Sequence, residues 1–147
     1  MSSWDVKGKF AIVTGAGSDI ALRPEAEETL SRFPHPPKDG SPSAVFHQMD
    51  QSDWSQISET WDFALRTFGR VDLLCPGAGI WEPPTYTFRN PPGTSPQSKD
   101  DPKAAPGVYQ IFAVNLMGPI RFVQPALDYW LQNKVAGNSL FVASLSA

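Results

Sequence analysis

The sequence is built around one segment, Lys9-Phe10-Ala11-Ile12-Val13-Thr14-Gly15-Ala16-Gly17-Ser18-Asp19-Ile20. Its apolar run, 10–13, does not alternate with polar residues, which predicts a strand buried on both faces. The run breaks at Thr14-Gly15-Ala16-Gly17. In a doubly wound α/β domain, such a glycine-rich turn lets the backbone approach a pyrophosphate at the start of the next helix. Two glycines after a strand also form ordinary turns, so the segment by itself fits both interpretations.

Length, composition and charge narrow the class of protein. We expect a single domain over residues 1–147, because 147 residues are enough for one layered hydrophobic core. The fifteen prolines, about twice average usage, indicate long loops. A net charge of −3 and a pI of about 5.2 give no basic surface for nucleic acid. No apolar run reaches the roughly 18 residues of a membrane helix, and the N-terminus does not resemble a signal peptide, so we expect a cytoplasmic protein without a membrane partner.

Segments with strand and helix patterns alternate along the rest of the chain. Predicted helices cover 22–33, 54–68 and 109–131, and predicted strands cover 10–13, 44–49, 71–75 and 139–143. Asp53 or Ser52 is expected to cap the second helix, and the third is expected to be bent or locally interrupted near Gly118-Pro119 and Pro125. Residues 82–107 show no periodicity and predict a long proline-rich loop. The alternation predicts an α/β fold with a parallel sheet and right-handed crossovers.

Neither the single cysteine nor the two histidines indicates a reactive site. Cys75 lies in the apolar run 71–75, a setting more typical of buried strand filling than of a nucleophile. His35 lies among prolines and His47 in a predicted strand, and neither has the spaced Cys, His or acidic partners of a metal site. We therefore predict no metal ligands.

Four segments of the chain are expected at the carboxyl ends of the predicted strands, where parallel sheets gather their functional loops. Together with one helical motif they carry a specific pattern. Its members are Thr14-Gly15, His47-Gln48-Met49-Asp50, Pro76-Gly77-Ala78-Gly79-Ile80, Val114-Asn115-Leu116 and Phe141-Val142-Ala143-Ser144-Leu145-Ser146-Ala147. In this order the motifs resemble the short-chain dehydrogenase/reductase family over nearly the whole chain.

The resemblance implies a fold, a cofactor and a class of reaction. The fold is a Rossmann-like parallel sheet with flanking helices, and the cofactor is NAD or NADP. The reaction is hydride transfer between the nicotinamide and an alcohol or ketone, a small-molecule substrate of the kind found in specialised metabolism.

The resemblance also assigns cofactor-binding positions. They are Thr14, Gly15, Gly17, Ile20, Asp50, Ala78 and Gly79. Gly15 and Gly17 would form the turn beside the phosphates, and Asp50 would accept a hydrogen bond from the adenine amino group. The segment 76–79 would wall the adenine and its ribose. Pro76 and Gly77 replace two asparagines of the family pattern, so both side-chain amides are lost.

Two catalytic positions follow from the same resemblance. Asn115 matches the helix asparagine that holds a water of the proton relay, and Ser144 matches the serine whose hydroxyl steadies the substrate oxygen. Without the family context, the interpretation of Ser144 as a strand-end serine that caps the next turn would be favoured.

The chain departs from the family pattern in its proton-transfer pair. In the family, a tyrosine moves the proton, and a lysine four residues later lowers that tyrosine's pKa and holds the nicotinamide ribose. Both lie downstream of the serine, whereas only three residues follow Ser144 here. Tyr129 has Asn133 four residues later, so we interpret it as a helix-packing aromatic. We therefore expect a catalytically incomplete chain.

A second departure lies between Ile20 and Ala44. Only 23 residues separate them, whereas a helix, a strand and a second helix need roughly 40 with their loops. Asp19 places a negative charge where the pyrophosphate would lie. We expect an incomplete fold, without the second-strand region and the C-terminal half, with impaired cofactor binding and poor stability.

Other classes of function stay open. The chain could be a non-catalytic dinucleotide-binding or interaction module, forming a homo-oligomer or pairing with a full-length relative through its exposed sheet. It could also be a truncated gene product without a function of its own.

Overall fold

The computed structural model of the chain describes residues 5–16, 24–38, 40–80, 90–98, 100–103 and 109–143. The elements within these residues follow the predicted alternation of strands and helices. They are β1 (Ala11–Thr14), α1 (Pro24–Arg32), α2 (Trp54–Phe68), β2 (Leu73–Pro76), α3 (Gln110–Phe112), a π-helical turn (Ala113–Met117), α4 (Gly118–Asn133) and β3 (Asn138–Ser139). The described parts of the predicted loop, 90–98 and 100–103, form turns and irregular structure.

The three strands form one parallel sheet in the order β1, β2, β3. Ile12 of β1 is in register with Leu74 of β2, and Leu74 is in register with Ser139 of β3. Parallel neighbours require a crossover connection, and the chain runs through α2 before β2 and through α4 before β3. The predicted α/β class with a parallel sheet is therefore confirmed.

The helix predicted over 54–68 is confirmed in both of its ends. The Asp53 carboxylate accepts hydrogen bonds from the backbone N–H groups of Ser55 and Gln56, and so caps the helix. Gly69 ends it in the left-handed conformation, with φ of 75°. Of the helix predicted over 22–33, the structure describes Pro24–Arg32 as helix, residue 33 lies beyond its end, and residues 21–23 lie outside the described ranges.

The predicted interruption near Gly118-Pro119 is confirmed as the π-helical turn before α4. The N–H of Gly118 donates to the carbonyl of Ala113, five residues earlier. Pro119 has no N–H, so it cannot donate to a carbonyl of the preceding turn. Near Pro125 the helix is not interrupted, because α4 continues through this residue at the loss of one helical hydrogen bond. The alternative of a bend at Pro125 stays a prediction.

The strand predicted over 44–49 is wrong. These residues are irregular in the structure. A strand forms only against a neighbouring strand, and the described strands are β1, β2 and β3 alone. Few residues separate Ile20 from Ala44. The described residues contain no strand between β1 and this segment with which residues 44–49 could pair.

The strand predicted over 139–143 is confirmed only at its start. β3 covers Asn138–Ser139, and the N–H of Leu140 still donates to the carbonyl of Leu74 at 2.9 Å. The next bond of a parallel ladder would come from residue 76 of β2. Pro76 has no N–H to donate, so the ladder stops there.

Helices α2 and α4 cover one face of the sheet and form the hydrophobic core with it. The buried residues of this core are Ile57, Trp61, Ala64, Val71, Leu74, Phe122, Ala126 and Trp130. The indole N–H of Trp130, one of two tryptophans in the core, donates to the carbonyl of Val71 at 2.8 Å, so its polar group is satisfied.

Among the described residues, no helix covers the opposite face of the sheet, contrary to the prediction that the first strand is buried on both faces. Ile12 and Leu74 point into the core, whereas Ala11 and Val13 are exposed, Val13 to 52%. Cys75 was also expected to be buried and is only half-buried. The physical reason is that α2 and α4 both pack on the Leu74 side, so the core uses only one of the two faces.

Candidate functional site

The carboxyl ends of β1 and β2 meet in a small network of hydrogen bonds. It joins the end of β1 to the turn 77–80 that follows β2 and to the π-helical turn before α4. Five of the residues predicted for the site lie in this region. They are Thr14, Gly15, Ala78, Gly79 and Asn115.

Thr14 connects β1 to the turn 77–80 through its hydroxyl group. Its Oγ1 accepts a hydrogen bond from the N–H of Ala78 at 3.0 Å and donates its own proton to Oε1 of Gln51 at 2.6 Å. The hydroxyl is therefore satisfied as both donor and acceptor. This arrangement gives Thr14 a positioning contact, while its predicted role in cofactor binding stays a prediction.

Gly15 is the position where the backbone requires glycine. Its φ is 77°, in the left-handed region, and a Cβ there would lie 2.7 Å from the Cα of Ala78. Any other residue would therefore be strained in conformation and would also push the turn 77–80 away. The two turns lie in direct contact at the edge where parallel sheets bind ligands.

Asn115 holds the far end of the same turn. Its Oδ1 accepts from the N–H of Ile80 and its Nδ2 donates to the carbonyl of Ile80, each at 2.8 Å. Gly79 lies beside this amide, since a Cβ there would be 3.4 Å from Oδ1. Both ends of the Asn115 amide are thus used to fix backbone, and the predicted water-holding role stays a prediction.

Asp50 lies at the border of this region with its side chain exposed. Its Oδ1 accepts hydrogen bonds from the N–H and the hydroxyl of Ser52, at 2.8 and 2.7 Å. Its own N–H donates to Oε1 of Gln56 at 2.9 Å. The carboxylate is therefore held in place by one oxygen and accessible to solvent, which fits the predicted acceptance of a hydrogen bond from an adenine amino group.

Sequence reasoning missed Gln51, the residue at the centre of the network. Its side chain is buried, with a relative exposure of 4%, and Nε2 donates to the carbonyls of Ala78 and Val114 at 2.9 and 3.0 Å. A glutamine between a predicted strand and a helix cap is expected to be exposed. No local pattern indicates its burial, because its partners are distant along the chain.

The other predicted site residues are Gly17, Ile20 and Ser144, and they lie outside the described residues. Across the ranges that the structure covers, no three His, Cys, Asp or Glu side chains cluster as metal ligands. None of the described helices combines the length and the apolar character that a membrane span requires.

At the other end of the sheet lies a buried carboxylate, Asp72, that serves the fold and not the site. Burial disfavours its charged form, but a hydrogen bond from the N–H of Phe10 and the cations of Arg70 and Lys9 outweigh this. The pKa of Asp72 is therefore held below its ordinary value. This ion cluster joins the start of β1 to the start of β2.

Comparison with known proteins gives the fold and the region a context. A family model described as short chain dehydrogenase matches residues 13–147. No curated protein sequence matches the chain.

Three solved structures illustrate the structural likeness. A short chain dehydrogenase from Mycobacterium avium superposes with a TM-score of 0.66 at 20% identity, over 94% of this chain and 54% of that one. The apo form of LigO from Sphingobium sp. strain SYK-6 gives 0.64 at 24%, over 97% and 54%. A short-chain dehydrogenase from Streptomyces avermitilis gives 0.61 at 20%, over 92% and 49%. The chain thus spans about half the length of these structures, and at this identity the likeness concerns the fold.

Proposed function

The chain belongs to the short-chain dehydrogenase family, and we propose that it binds NAD or NADP at the carboxyl edge of its sheet. It would then be the nucleotide-binding part of an enzyme that oxidises an alcohol or reduces a ketone. The observation that carries this proposal is the direct contact between the Gly15 turn and the turn at Ala78. These turns follow adjacent parallel strands, and α/β sheets bind ligands in the crevice formed by such turns.

Each described site residue has a distinct part in the proposal. The Gly15 turn offers backbone without side chains to the phosphates, and Ala78 and Gly79 line the nucleoside side of the crevice. Asp50, exposed and held by Ser52, accepts a hydrogen bond from the adenine amino group. The bound cofactor would supply hydride transfer at its nicotinamide ring.

Proton transfer is the part of the reaction that these residues do not provide. None of the three tyrosines in the 147 residues is followed by a lysine four positions later. An alcohol or ketone cannot exchange its proton efficiently without a positioned acid or base. We expect the 147-residue chain to bind dinucleotide without oxidising or reducing a panel of small alcohols and ketones. NAD(P)H turnover by the pure chain would contradict this expectation.

The binding proposal is tested by titrating the chain with NADH and NADPH and following cofactor fluorescence. The informative variant is Gly15→Ala, whose methyl group would meet the backbone of Ala78 at 2.7 Å. Its matched control is Gly40→Ala, which has a similar φ of 73° but nothing within 4 Å of the added methyl group. Both substitutions strain the backbone, but only the first displaces the site.

We expect the wild-type chain to bind at least one of the two dinucleotides. Gly15→Ala should weaken that binding at least tenfold, and Gly40→Ala should leave it within about twofold of the wild type. Equal affinity in Gly15→Ala and the wild type would contradict the assignment of this turn to the cofactor.

A second candidate function, a non-catalytic interaction module, is favoured by the open face of the sheet. Val13 and Leu140 on this face are 52% and 56% exposed. Val13 lies on β1 and Leu140 directly follows β3, the two outer strands, with half-buried Cys75 between them, and exposed apolar residues on one face are typical of surfaces that bind another protein. In this proposal the face pairs with a full-length member of the family, which would be visible as a stable hetero-oligomer by light scattering.

A further inference from the structure

We propose that Gln51 is the positioning residue of the nucleotide site, because its buried amide fixes the turn 77–80 relative to the ends of β1 and α4. Gln51 would not touch the cofactor. It would set the shape of the crevice that the cofactor enters, so this inference rests on the proposed function for its binding readout.

The amide of Gln51 has only one orientation that satisfies its hydrogen bonds. Its two N–H groups face the carbonyl oxygens of Ala78 and Val114, which can only accept hydrogen bonds. Its oxygen faces the hydroxyl of Thr14. A rotated amide would place oxygen against two carbonyls, so the three bonds fix the side chain as a unit.

The side chains of Gln51 and Thr14 together hold both backbone polar groups of Ala78. The carbonyl of Ala78 accepts directly from Gln51, and its N–H donates to Thr14. Thr14 can accept in this direction because its own proton is directed to Gln51. Without the Gln51 amide, the carbonyl of Ala78 loses its donor. The Thr14 hydroxyl, which accepts from the N–H of Ala78, also loses the acceptor that orients its proton.

The π-helical turn leaves one carbonyl without a helical donor, and Gln51 supplies that donor. The N–H of Gly118 bonds to Ala113, and residue 119, five positions after Val114, is a proline without an N–H. The carbonyl of Val114 therefore lacks the helical donor it would have in either register, and Nε2 of Gln51 supplies one. One amide thus compensates the interrupted helix and holds the turn.

Close packing against Gly118 also constrains the backbone of Gln51. A Cβ on Gly118 would lie 2.4 Å from the carbonyl oxygen of Gln51 and 2.7 Å from its Cγ. α4 can therefore approach Gln51 only because residue 118 is glycine. The backbone and side chain of Gln51 are both constrained, which is the condition for precise positioning of its neighbours.

The test compares Gln51→Leu, which keeps the volume and removes all three hydrogen bonds, with Ile57→Val as the control. Ile57 is fully buried in the core and makes none of the hydrogen bonds of the network, so its substitution lowers stability without removing a bond to the turn. Amide hydrogen exchange of the ligand-free chain gives the first readout. In Gln51→Leu, exchange at Ala78 and Ile80 should rise at least tenfold more than exchange in α2. In Ile57→Val, both regions should change together.

Affinity for NADH and NADPH gives the second readout, at a temperature where both variants are folded. Gln51→Leu should bind at least tenfold more weakly, and Ile57→Val should bind within about twofold of the wild type. The inference would be overturned if exchange in Gln51→Leu rose equally at the turn and in α2, as in Ile57→Val, or if Gln51→Leu bound with unchanged affinity. A wild type that binds neither dinucleotide would overturn the proposed function, and exchange at Ala78 alone would then decide whether Gln51 positions the turn.

A pH profile separates the amide's hydrogen bonds from its bulk. In Gln51→Glu, the ionised carboxylate cannot donate to the two carbonyls, whereas the protonated form can donate to one. Burial raises the pKa of such a carboxyl group. The affinity deficit of Gln51→Glu should therefore shrink as the pH falls from 8 to 6, while that of Gln51→Leu should stay constant. A constant deficit in both variants would contradict the role of donation.

Discussion

At the scale of single residues, two buried polar side chains of the described residues, Asp72 and Gln51, depend on their hydrogen-bond partners. Asp72 has a side chain only 3% exposed and bonds to the N–H of Phe10 at 3.0 Å, with Lys9 at 3.7 Å and Arg70 in contact. Gln51 has the same property at the opposite end of the sheet. A buried polar group stabilises a fold only while its partners remain, so each side chain fixes the segments that it bonds.

Asp72→Asn is expected to lower the free energy of unfolding by about 1–3 kcal/mol at neutral pH. The substitution removes a charge that pairs with Arg70 and Lys9 and weakens the bond from Phe10. Urea denaturation followed by tryptophan fluorescence measures the change. Asp62→Asn, an exposed change in the middle of α2, is the control and should cost less than about 0.5 kcal/mol.

Comparison of the wild type with Asp72→Asn also tests how the contribution of Asp72 to stability depends on pH. Because its pKa is lowered in the folded state, its contribution to stability is present above its unfolded pKa of about 4 and is lost as the pH falls below it. The stability difference between the wild type and Asp72→Asn should therefore narrow between pH 6 and pH 3. A difference that is constant or wider at pH 3 would show that the charge of Asp72 does not stabilise the fold.

At the scale of elements, α2 is the part of the fold that could be predicted most completely. Its signals are local: the cap Asp53, the apolar spacing of its buried face and the terminal Gly69 all lie within or beside the helix. The predicted strands over 44–49 and 139–143 failed wholly or in part because a strand depends on distant partners. In the second case one proline in β2 removes the donor that would extend β3.

Asp53→Ala is expected to lower the melting temperature by about 2–6 °C, because the first turn of α2 loses the acceptor for two backbone N–H groups. The hydroxyl of Ser55, which is the largest cause, and the N–H groups also lower the pKa of Asp53. The loss should therefore be full at neutral pH and should diminish as the pH falls below about 4. Circular dichroism measures the transition, and Asp62→Ala in the same helix is the control. Equal melting temperatures in the two variants would contradict the capping role.

The candidate site was predictable to the extent that it depends on motifs next to strand ends. Thr14, Gly15, Ala78 and Asn115 were assigned from the resemblance of their motifs to the short-chain dehydrogenase/reductase pattern, and the structure brings them together. Gln51 could not be found in this way. Its three side-chain partners lie 37, 27 and 63 residues away along the chain, so only the folded arrangement shows that its amide is needed.

At the scale of the whole molecule, the core formed by the described residues is one-sided. Helices α2 and α4 cover one face of a three-stranded sheet, and the chain spans about half the length of the solved structures that it resembles. The other face presents Val13 and Leu140 to solvent. Such a face favours association with another apolar surface over exposure to water.

The double variant Val13→Thr, Leu140→Gln is expected to reduce association of the chain with itself or with a relative. Both side chains are more than half exposed, so the free energy of unfolding of the monomer should change by less than about 1 kcal/mol. Sedimentation velocity at increasing protein concentration measures the association. Wild-type and variant chains that associate equally would show that the open face is not an interaction surface.

The central claim is that the edge formed by Gly15, Ala78 and Asp50 binds a dinucleotide. The most direct measurement is a thermal melt of the purified chain, followed by circular dichroism, without ligand and with millimolar NAD or NADP. A ligand that binds only the folded chain at ten times its Kd adds about 1.4 kcal/mol of stability. We predict a cooperative transition that moves to higher temperature with one of the two dinucleotides. A transition that neither dinucleotide moves would contradict the claim.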